Sequence, residues 1–165
     1  MSVPVGIIVG SKSDLGFAEE AQKVLDQLGI GHELRILSAH RTPGPLEDYV
    51  ASAQAAGARV FITMAGMAAA LPGVVAAKTT LPVIGVPLPA SELAGQDALM
   101  SIVQMPPGIP VGTMAIGKAG ARNAAWYAAA ILAVTDPAVA QALDEGRARM
   151  ARGVLEADAQ VRGRA

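Results

Sequence analysis

Short apolar runs and stretches of helical spacing alternate along the whole chain. The first run, Val5-Gly6-Ile7-Ile8-Val9, has no polar position and is closed by Gly10, the pattern of a strand buried on both faces of a parallel sheet. From residue 15 to 28 the apolar positions change period. Ala18, Ala21, Val24, Leu25 and Leu28 recur as on one face of a helix, and Gly29 is placed to end it. The next run alternates strictly: His32, Leu34 and Ile36 on one side, Glu33 and Arg35 on the other. A half-polar strand of this kind belongs at a sheet edge.

The alternation continues to the end. A helix is predicted from Pro43 to about residue 56, a third strand over 59–64, an Ala-rich helix to about Lys78, a proline-bracketed strand over 81–87 and a short helix from Glu92 to about Ile102. Met105-Pro106-Pro107-Gly108-Ile109-Pro110 is a segment that regular structure cannot cross. A fifth strand follows over 111–116, then a helix over 118–134 that is apolar almost all the way round and is therefore expected to be buried on every side, at a subunit interface. Asp136-Pro137 supplies a capping residue and a first-turn proline, and Val139, Leu143, Gly146 and Met150 keep helical spacing after it. The expected domain covers residues 1–156, with 157–165 as a flexible tail. Neither a repeat nor a linker interrupts it, so the fold class is α/β: one domain around a doubly wound, five-stranded parallel sheet with an extra C-terminal helix.

Composition adds one constraint to that outline. Of the 165 residues 52% are hydrophobic and only 16% charged, against about a quarter charged in an ordinary domain. The surface is short of polar cover, and since no apolar run reaches the roughly 20 residues of a membrane span, self-association is the expected remedy. The N-terminus lacks a signal-peptide pattern, and a cytoplasmic location is expected. The chain has no cysteine, so thiol chemistry and thiolate metal sites are excluded. A net charge of −1 and a single Trp, two Tyr and two Phe supply neither the basic field nor the stacking platforms of a nucleic-acid surface.

In a doubly wound sheet, ligands bind beyond the carboxyl ends of the strands. Two polar loops lie there. Gly10-Ser11-Lys12-Ser13-Asp14 follows the first strand and opens a helix, where free N–H groups, the helix dipole and the Ser11 and Ser13 hydroxyls favour an anion or a ribose. A capping box between Ser11 and Asp14 explains the same residues without a ligand. Ser38-Ala39-His40-Arg41-Thr42-Pro43 holds the matching place after the second strand. Arg41 can grip phosphate with two N–H groups, and His40 is the side-chain type that exchanges protons near neutrality. A third segment, Ala65-Gly66-Met67-Ala68-Ala69-Ala70-Leu71-Pro72-Gly73, brings small side chains to the same end of the sheet, suited to a flat ligand or to tight packing. His32, the only other histidine, starts the edge strand and is read as structural. Two histidines without HExxH spacing predict no metal. Gly112 to Lys118 imitates a P-loop, but its interior is apolar and Ala119 stands where a magnesium-binding hydroxyl belongs.

With these residues in view, the chain closely resembles the family of 5-(carboxyamino)imidazole ribonucleotide mutases and aminoimidazole ribonucleotide carboxylases of purine biosynthesis. The likeness runs from about Val5 to Val134. It is carried by Gly-Ser-Lys-Ser-Asp at 10–14, Ser-Ala-His-Arg-Thr-Pro at 38–43, and Ser101-Ile102-Val103-Gln104-Met105-Pro106 with Gly108-Ile109-Pro110-Val111. The resemblance implies a flavodoxin-like three-layer α/β/α sandwich, a homo-octamer with sites between subunits, a ribonucleotide substrate, and no metal or organic cofactor. It implies that Ser11, Asp14 and Arg41 bind the ribose phosphate with Ser13 and Ser38 nearby, that Ala39, Gly66, Ala68 and Leu71 complete the substrate site, and that His40 shuttles a proton. The implied reaction is the mutase isomerisation, by loss and recapture of carbon dioxide, with the Pro106-Pro107-Gly108 loop expected to keep water out.

Two departures keep other readings open. Where the family usually reads Gly-Gly-Ala-Ala-His-Leu-Pro-Gly, this chain has Gly66-Met67-Ala68-Ala69-Ala70-Leu71-Pro72-Gly73, so Ala70 replaces a histidine and Met67 a glycine. The alternatives are direct carboxylation of aminoimidazole ribonucleotide by carbon dioxide, and a non-catalytic nucleotide-binding protein.

Overall fold

The computed structural model describes residues 3 to 163. Five strands, β1 (Val5–Val9), β2 (His32–Ile36), β3 (Val60–Gly66), β4 (Val83–Leu88) and β5 (Gly112–Thr113), form one sheet in the order β2-β1-β3-β4-β5, every pair parallel. Six helices connect and follow them: α1 (Leu15–Gln27), α2 (Pro43–Ala55), α3 (Ala70–Ala76), α4 (Gln96–Val103), α5 (Gly117–Ala133) and α6 (Pro137–Arg162).

Strand alternation builds two cores. Ile7 and Val9 of β1, Ile62 and Met64 of β3, and Ile84, Val86 and Leu88 of β4 face α1 and α5. Ile8, Phe61 and Val83 face the opposite way, against Leu46, Tyr49 and Val50 of α2, Leu71 and Val75 of α3, and Ala98 and Ile102 of α4. Because neighbouring residues of β1 point into different cores, β1 needs an unbroken apolar run, and every residue of it is buried. The edge strand does not: Glu33, Arg35 and Ile36 of β2 are exposed. Gly29 leaves α1 at a φ of 66°, a turn that a side chain resists.

Several boundaries differ from the sequence pattern, each for a local reason. The fourth helix starts at Gln96 rather than Glu92, because Ala94 (φ 51°) and Gly95 (φ 88°) are left-handed and a right-handed helix cannot pass through them. Ser91 competes for the backbone there: its Oγ donates to Asp97 Oδ2 at 2.7 Å and accepts from Leu93 N at 3.1 Å. The fifth strand keeps two ladder residues of the six expected, extended only by Met114 N donating to Gly85 O at 2.9 Å before the chain turns into α5. This shortness accommodates Pro87 inside β4. Pro87 has the parity of Gly85 and faces the β5 side, where the ladder has already ended at Gly85–Thr113.

Within the single chain the fifth helix buries one side only. Gly120, Ala121, Ala124, Ala125, Ala128, Ala129 and Leu132 form one buried stripe, but Lys118, Arg122, Asn123 and Tyr127 are exposed. Arg122 Nε reaches back to Glu20 Oε2 of α1 at 2.6 Å, so the polar residues of this helix tie it to α1 along its rim. The sixth helix runs on to Arg162, through residues expected in a tail, with Arg162 Nε 2.9 Å from Asp158 Oδ2. Its first turns dock through Leu143 and through Gly146, where an added Cβ would meet the Trp126 ring at 2.6 Å. Met150, Val154 and Val161 continue the same helical stripe and are exposed.

The start of α6 behaves as its sequence predicts. Asp136 Oδ1 accepts from Ala138 N at 3.0 Å and Val139 N at 3.3 Å. Asp136→Ala is expected to lower the unfolding free energy by about 1 kcal/mol, as loss of a capping side chain does. Urea denaturation followed by circular dichroism measures it, and an unchanged midpoint contradicts the cap.

Candidate functional site

The chain leaves β1 toward β2 on one side, and later places β3 on the other. That reversal opens a crevice beyond the carboxyl ends of β1 and β3, where neither neighbouring loop covers the other. A pocket of ≈ 580 Å³ occupies it, lined by the loops after β1, β2 and β3 and by Ala90 after β4.

One wall is polar. Ser11, in an extended conformation (φ −153°, ψ 157°), caps a 3-10 turn over Lys12–Asp14 by accepting from Ser13 N at 3.4 Å. Ser13 Oγ lies 3.0 Å from Ser11 Oγ and 3.2 Å from Asp14 Oδ1, which chains the two hydroxyls to the carboxylate. Asp14, the residue that precedes α1, makes no side-chain cap to that helix. Its carboxyl is buried, and that burial pushes its pKa above the ordinary value, more than the Ser13 and Ser11 hydrogen bonds and the charge of Arg41 pull it down.

The second loop is closed on itself and then tied to the first. Thr42 Oγ1 accepts from Ser38 N at 2.8 Å, and Thr42 N donates to Ser38 O at 2.9 Å. Ser38 Oγ accepts from Arg41 N at 3.2 Å. From that turn the Arg41 Nη2 reaches across 31 residues of sequence to Gly10 O at 3.0 Å. One guanidinium edge is thereby held, and the remaining N–H groups stay available to an anion. His40 lines the pocket from the same turn and is exposed. It is the pocket's only histidine.

The facing wall is made of small apolar residues: Ala65, Gly66, Ala68, Ala69 and Ala70, with Met67 and Leu71. Gly66 has no room for a side chain, since an added Cβ would lie 2.5 Å from Ala90 Cβ and 3.2 Å from Leu88 O. Ala69 N donates to Gly66 O at 3.0 Å across a tight turn in which Met67 (φ 57°) and Ala69 (φ 40°) are both left-handed.

The structure therefore brings Ser11, Ser13, Asp14, Ser38, Ala39, His40, Arg41, Gly66, Ala68 and Leu71 into one pocket. It leaves His32 elsewhere, with Nδ1 3.1 Å from Ile30 O. Ala90 is the lining residue that sequence reasoning missed. Its only signal is register, the pairing of Gly66 with Leu88 that puts the end of β4 beside the third loop. The Pro106-Pro107-Gly108 loop does not serve as a cover within this chain: none of the three residues lines the pocket. Gly108, Ile109 and Pro110 instead line a larger groove, ≈ 1020 Å³, that also holds Lys78, Leu81, Tyr127 and Ile131 but no histidine or carboxylate. The loop leaves α4 at its C-terminus and enters β5 at its N-terminus, so the topology carries it away from the pocket's end of the sheet. Gly112 to Lys118 splits into the short β5 and the first turn of α5, and forms no phosphate-binding loop. Among the described residues no group of three or more His, Asp or Glu side chains is placed to hold a metal ion.

The chain matches the model of the AIR carboxylase family over residues 4–153. It is 54% identical over 156 residues to the N5-carboxyaminoimidazole ribonucleotide mutase of Brucella melitensis, covering 94% of this chain and 96% of that protein. It is 50% identical to the protein of the same name from Bacillus subtilis, covering 95% and 97%. Among solved structures it is similar to Treponema denticola PurE, with a TM-score of 0.86, 31% identity and coverage of 94% of this chain and 96% of that one.

Burial of Asp14 has a measurable consequence. With its pKa raised on folding, the folded chain holds this proton to higher pH than the unfolded chain does, so Asp14 costs stability increasingly as pH rises through the carboxyl range. Asp14→Asn is expected to be more stable than the wild type at neutral pH, with the difference shrinking as pH falls toward about 4 and lost below it. Urea midpoints across pH test this; a variant less stable at neutral pH contradicts the sign.

Proposed function

The chain belongs to the AIR carboxylase family, and we propose that its pocket converts 5-(carboxyamino)imidazole ribonucleotide to 4-carboxy-5-aminoimidazole ribonucleotide. This is the mutase step of de novo purine biosynthesis, and the fold that carries it is flavodoxin-like. The observation that supports the reading best is a pocket with one wall of hydroxyls, a carboxylate and a guanidinium, a facing wall of small apolar residues, and a single imidazole between them.

The division of labour follows from the walls. Ser11, Ser13, Asp14 and Ser38 bind the ribose hydroxyls and phosphate, and the free edge of Arg41 takes phosphate oxygens. Gly66, Ala68 and Leu71, with Ala39, form the flat surface for the imidazole ring. His40 carries the proton. It donates to the exocyclic nitrogen as the carbon–nitrogen bond breaks and carbon dioxide leaves, then takes the proton from the ring carbon after the carbon–carbon bond forms, so that it ends as it began. Its exposure in a single chain is no obstacle to this role, because substrate and neighbouring subunits cover the pocket mouth.

The same reading extends to assembly and location. The protein assembles as a homo-octamer and works in the cytoplasm. Support for self-association comes from the sparse charge and from the exposed Met150, Val154 and Val161 on a stripe that is buried at its other end. Among the described residues no helix is long and apolar enough to cross a membrane.

Purified protein supplied with the carboxyamino nucleotide is expected to form the carboxylated ring without bicarbonate. Turnover only with the uncarboxylated nucleotide and bicarbonate assigns direct carboxylation instead, and no turnover with either assigns binding alone. In His40→Asn, kcat is expected to fall by about 10² to 10⁴, the contribution of a positioned acid–base group, while nucleotide affinity is largely retained. Steady-state rates and calorimetry separate the two, and near wild-type kcat removes His40 from the chemistry.

A further inference from the structure

Thr42 holds the N-cap position of α2 and does not cap it. Its backbone is not helical (φ −136°, ψ 53°) and its side chain makes no hydrogen bond to the first turn, although a threonine in that place ordinarily accepts from the second or third helical N–H. The residues that follow explain this. Helix α2 opens Pro43-Gly44-Pro45, so two of its first three residues have no N–H to donate. Leu46 N, the next donor, is already bonded to the Thr42 carbonyl at 3.1 Å. The prolines leave the Thr42 hydroxyl little to satisfy in the helix.

The hydroxyl turns back into the preceding loop instead. It accepts from Ser38 N at 2.8 Å and donates to Ser38 O at 3.2 Å, while Thr42 N donates to the same carbonyl at 2.9 Å. Both backbone groups of Ser38 are thus held by one residue four positions later. The near end of the turn is fixed as well, because Leu37 N donates to Val9 O, at the carboxyl end of β1, at 2.9 Å. His40 is the middle residue of this clasped turn, so the direction in which its ring leaves the chain is set by a backbone pinned at both ends. Arg41 has a further anchor of its own, with Nη2 on Gly10 O at 3.0 Å. Thr42 does not line the pocket, whereas Ser38, Ala39, His40 and Arg41 all do. Its influence there passes through them.

We propose that Thr42 is a positioning residue for the reaction: its hydroxyl, released from helix capping by Pro43 and Pro45, closes the turn onto Ser38 and holds His40 where one imidazole reaches both the exocyclic nitrogen and the ring carbon of the nucleotide. This rests on the mutase reading above. The same ring serves two substrate atoms in succession. It donates a proton to nitrogen as the carbon–nitrogen bond breaks, and takes one from carbon after the carbon–carbon bond forms, so displacement of the ring is penalised at both steps. Thr42 itself exchanges no proton with the substrate. Loss of the clasp lowers kcat more than affinity, because Ser11, Ser13 and Asp14 lie on the other loop and Arg41 keeps its hold on Gly10 O.

The test compares Thr42→Val, which keeps the branched shape without the hydroxyl, with Thr42→Ser, which keeps the hydroxyl, in the full chain supplied with the carboxyamino nucleotide. In Thr42→Val we expect kcat to fall by about 10- to 100-fold, the effect of a misplaced reacting group, with KM within about threefold of wild type. Thr42→Ser is expected to recover most of kcat. Since the loss runs through His40, adding Thr42→Val to His40→Asn is expected to leave the residual kcat unaltered. Amide hydrogen exchange at Ser38 reads the clasp without catalysis: slow in the wild type and in Thr42→Ser, faster in Thr42→Val. Urea midpoints separate these effects from loss of the fold. Wild-type kcat in Thr42→Val, an equal loss in Thr42→Ser, a full further loss in the double variant, or fast Ser38 exchange in the wild type each overturns the positioning role while leaving the mutase reading intact. A wild-type chain that does not turn over the carboxyamino nucleotide at all overturns the mutase reading, and the positioning role falls with it.

Discussion

A strand buried on both faces has no surface of its own to offer a ligand. In β1, Val5, Ile7, Ile8 and Val9 are fully inaccessible, their side chains divided between two cores, and the strand is hydrogen-bonded to β2 on one edge and β3 on the other. Parallel pairing on both edges compels each connection to cross a face of the sheet as a helix, and places the ends of β1, β2 and β3 together. Polar chemistry can begin only where the strand stops. Gly10 is that point, and the loops that meet there come from three crossovers rather than from one contiguous motif.

The pocket inherits its two characters from this arrangement. The loops after β1 and β2 lead into α1 and α2 with hydroxyls, a carboxylate and cationic or titratable groups, and they are joined by the Arg41 to Gly10 hydrogen bond. The loop after β3 is pressed against Ala90 at the end of β4, so closely that Gly66 must be glycine and little more than methyl groups fit beside it. Polar recognition on one side and close apolar approach on the other suit a nucleotide with a flat heterocycle. Tension is stored on both sides, in the buried carboxyl of Asp14 and in the left-handed turn at Met67 and Ala69. Such features lower the stability of the empty fold where ligand contacts can offset them.

A composition rich in alanine and poor in charge leaves apolar surface uncovered on the single chain. Within the single chain α5 hides one stripe, with Arg122 bound to Glu20 and Tyr127 left on the surface. The sixth helix carries its apolar stripe from Leu143, packed on the body, to Val161, which is exposed. Both are surfaces of the kind that a second copy covers.

Much of this was legible in the residues themselves. An unbroken apolar run identified β1 and a mostly apolar one β3, alternation identified β2 as an edge, and Asp136-Pro137 announced the start of α6, because each rests on periodicity or local capping that neighbours in sequence decide. The polar site loops were legible for the same reason, since their places follow from the strands they close. Other features depended on partners distant along the chain. The short β5, the tolerance of Pro87 in β4, the Glu20–Arg122 tie, the wall formed by Ala90 and the absence of the Pro106-Pro107-Gly108 loop from the pocket all require knowing which strand lies beside which. The late start of α4 turned on two left-handed residues that its composition does not forbid. Local pattern determined the elements and the ends at which chemistry sits; only tertiary packing decided which side chains share a pocket, because hydrogen-bond register and steric approach between remote segments are set when the sheet assembles.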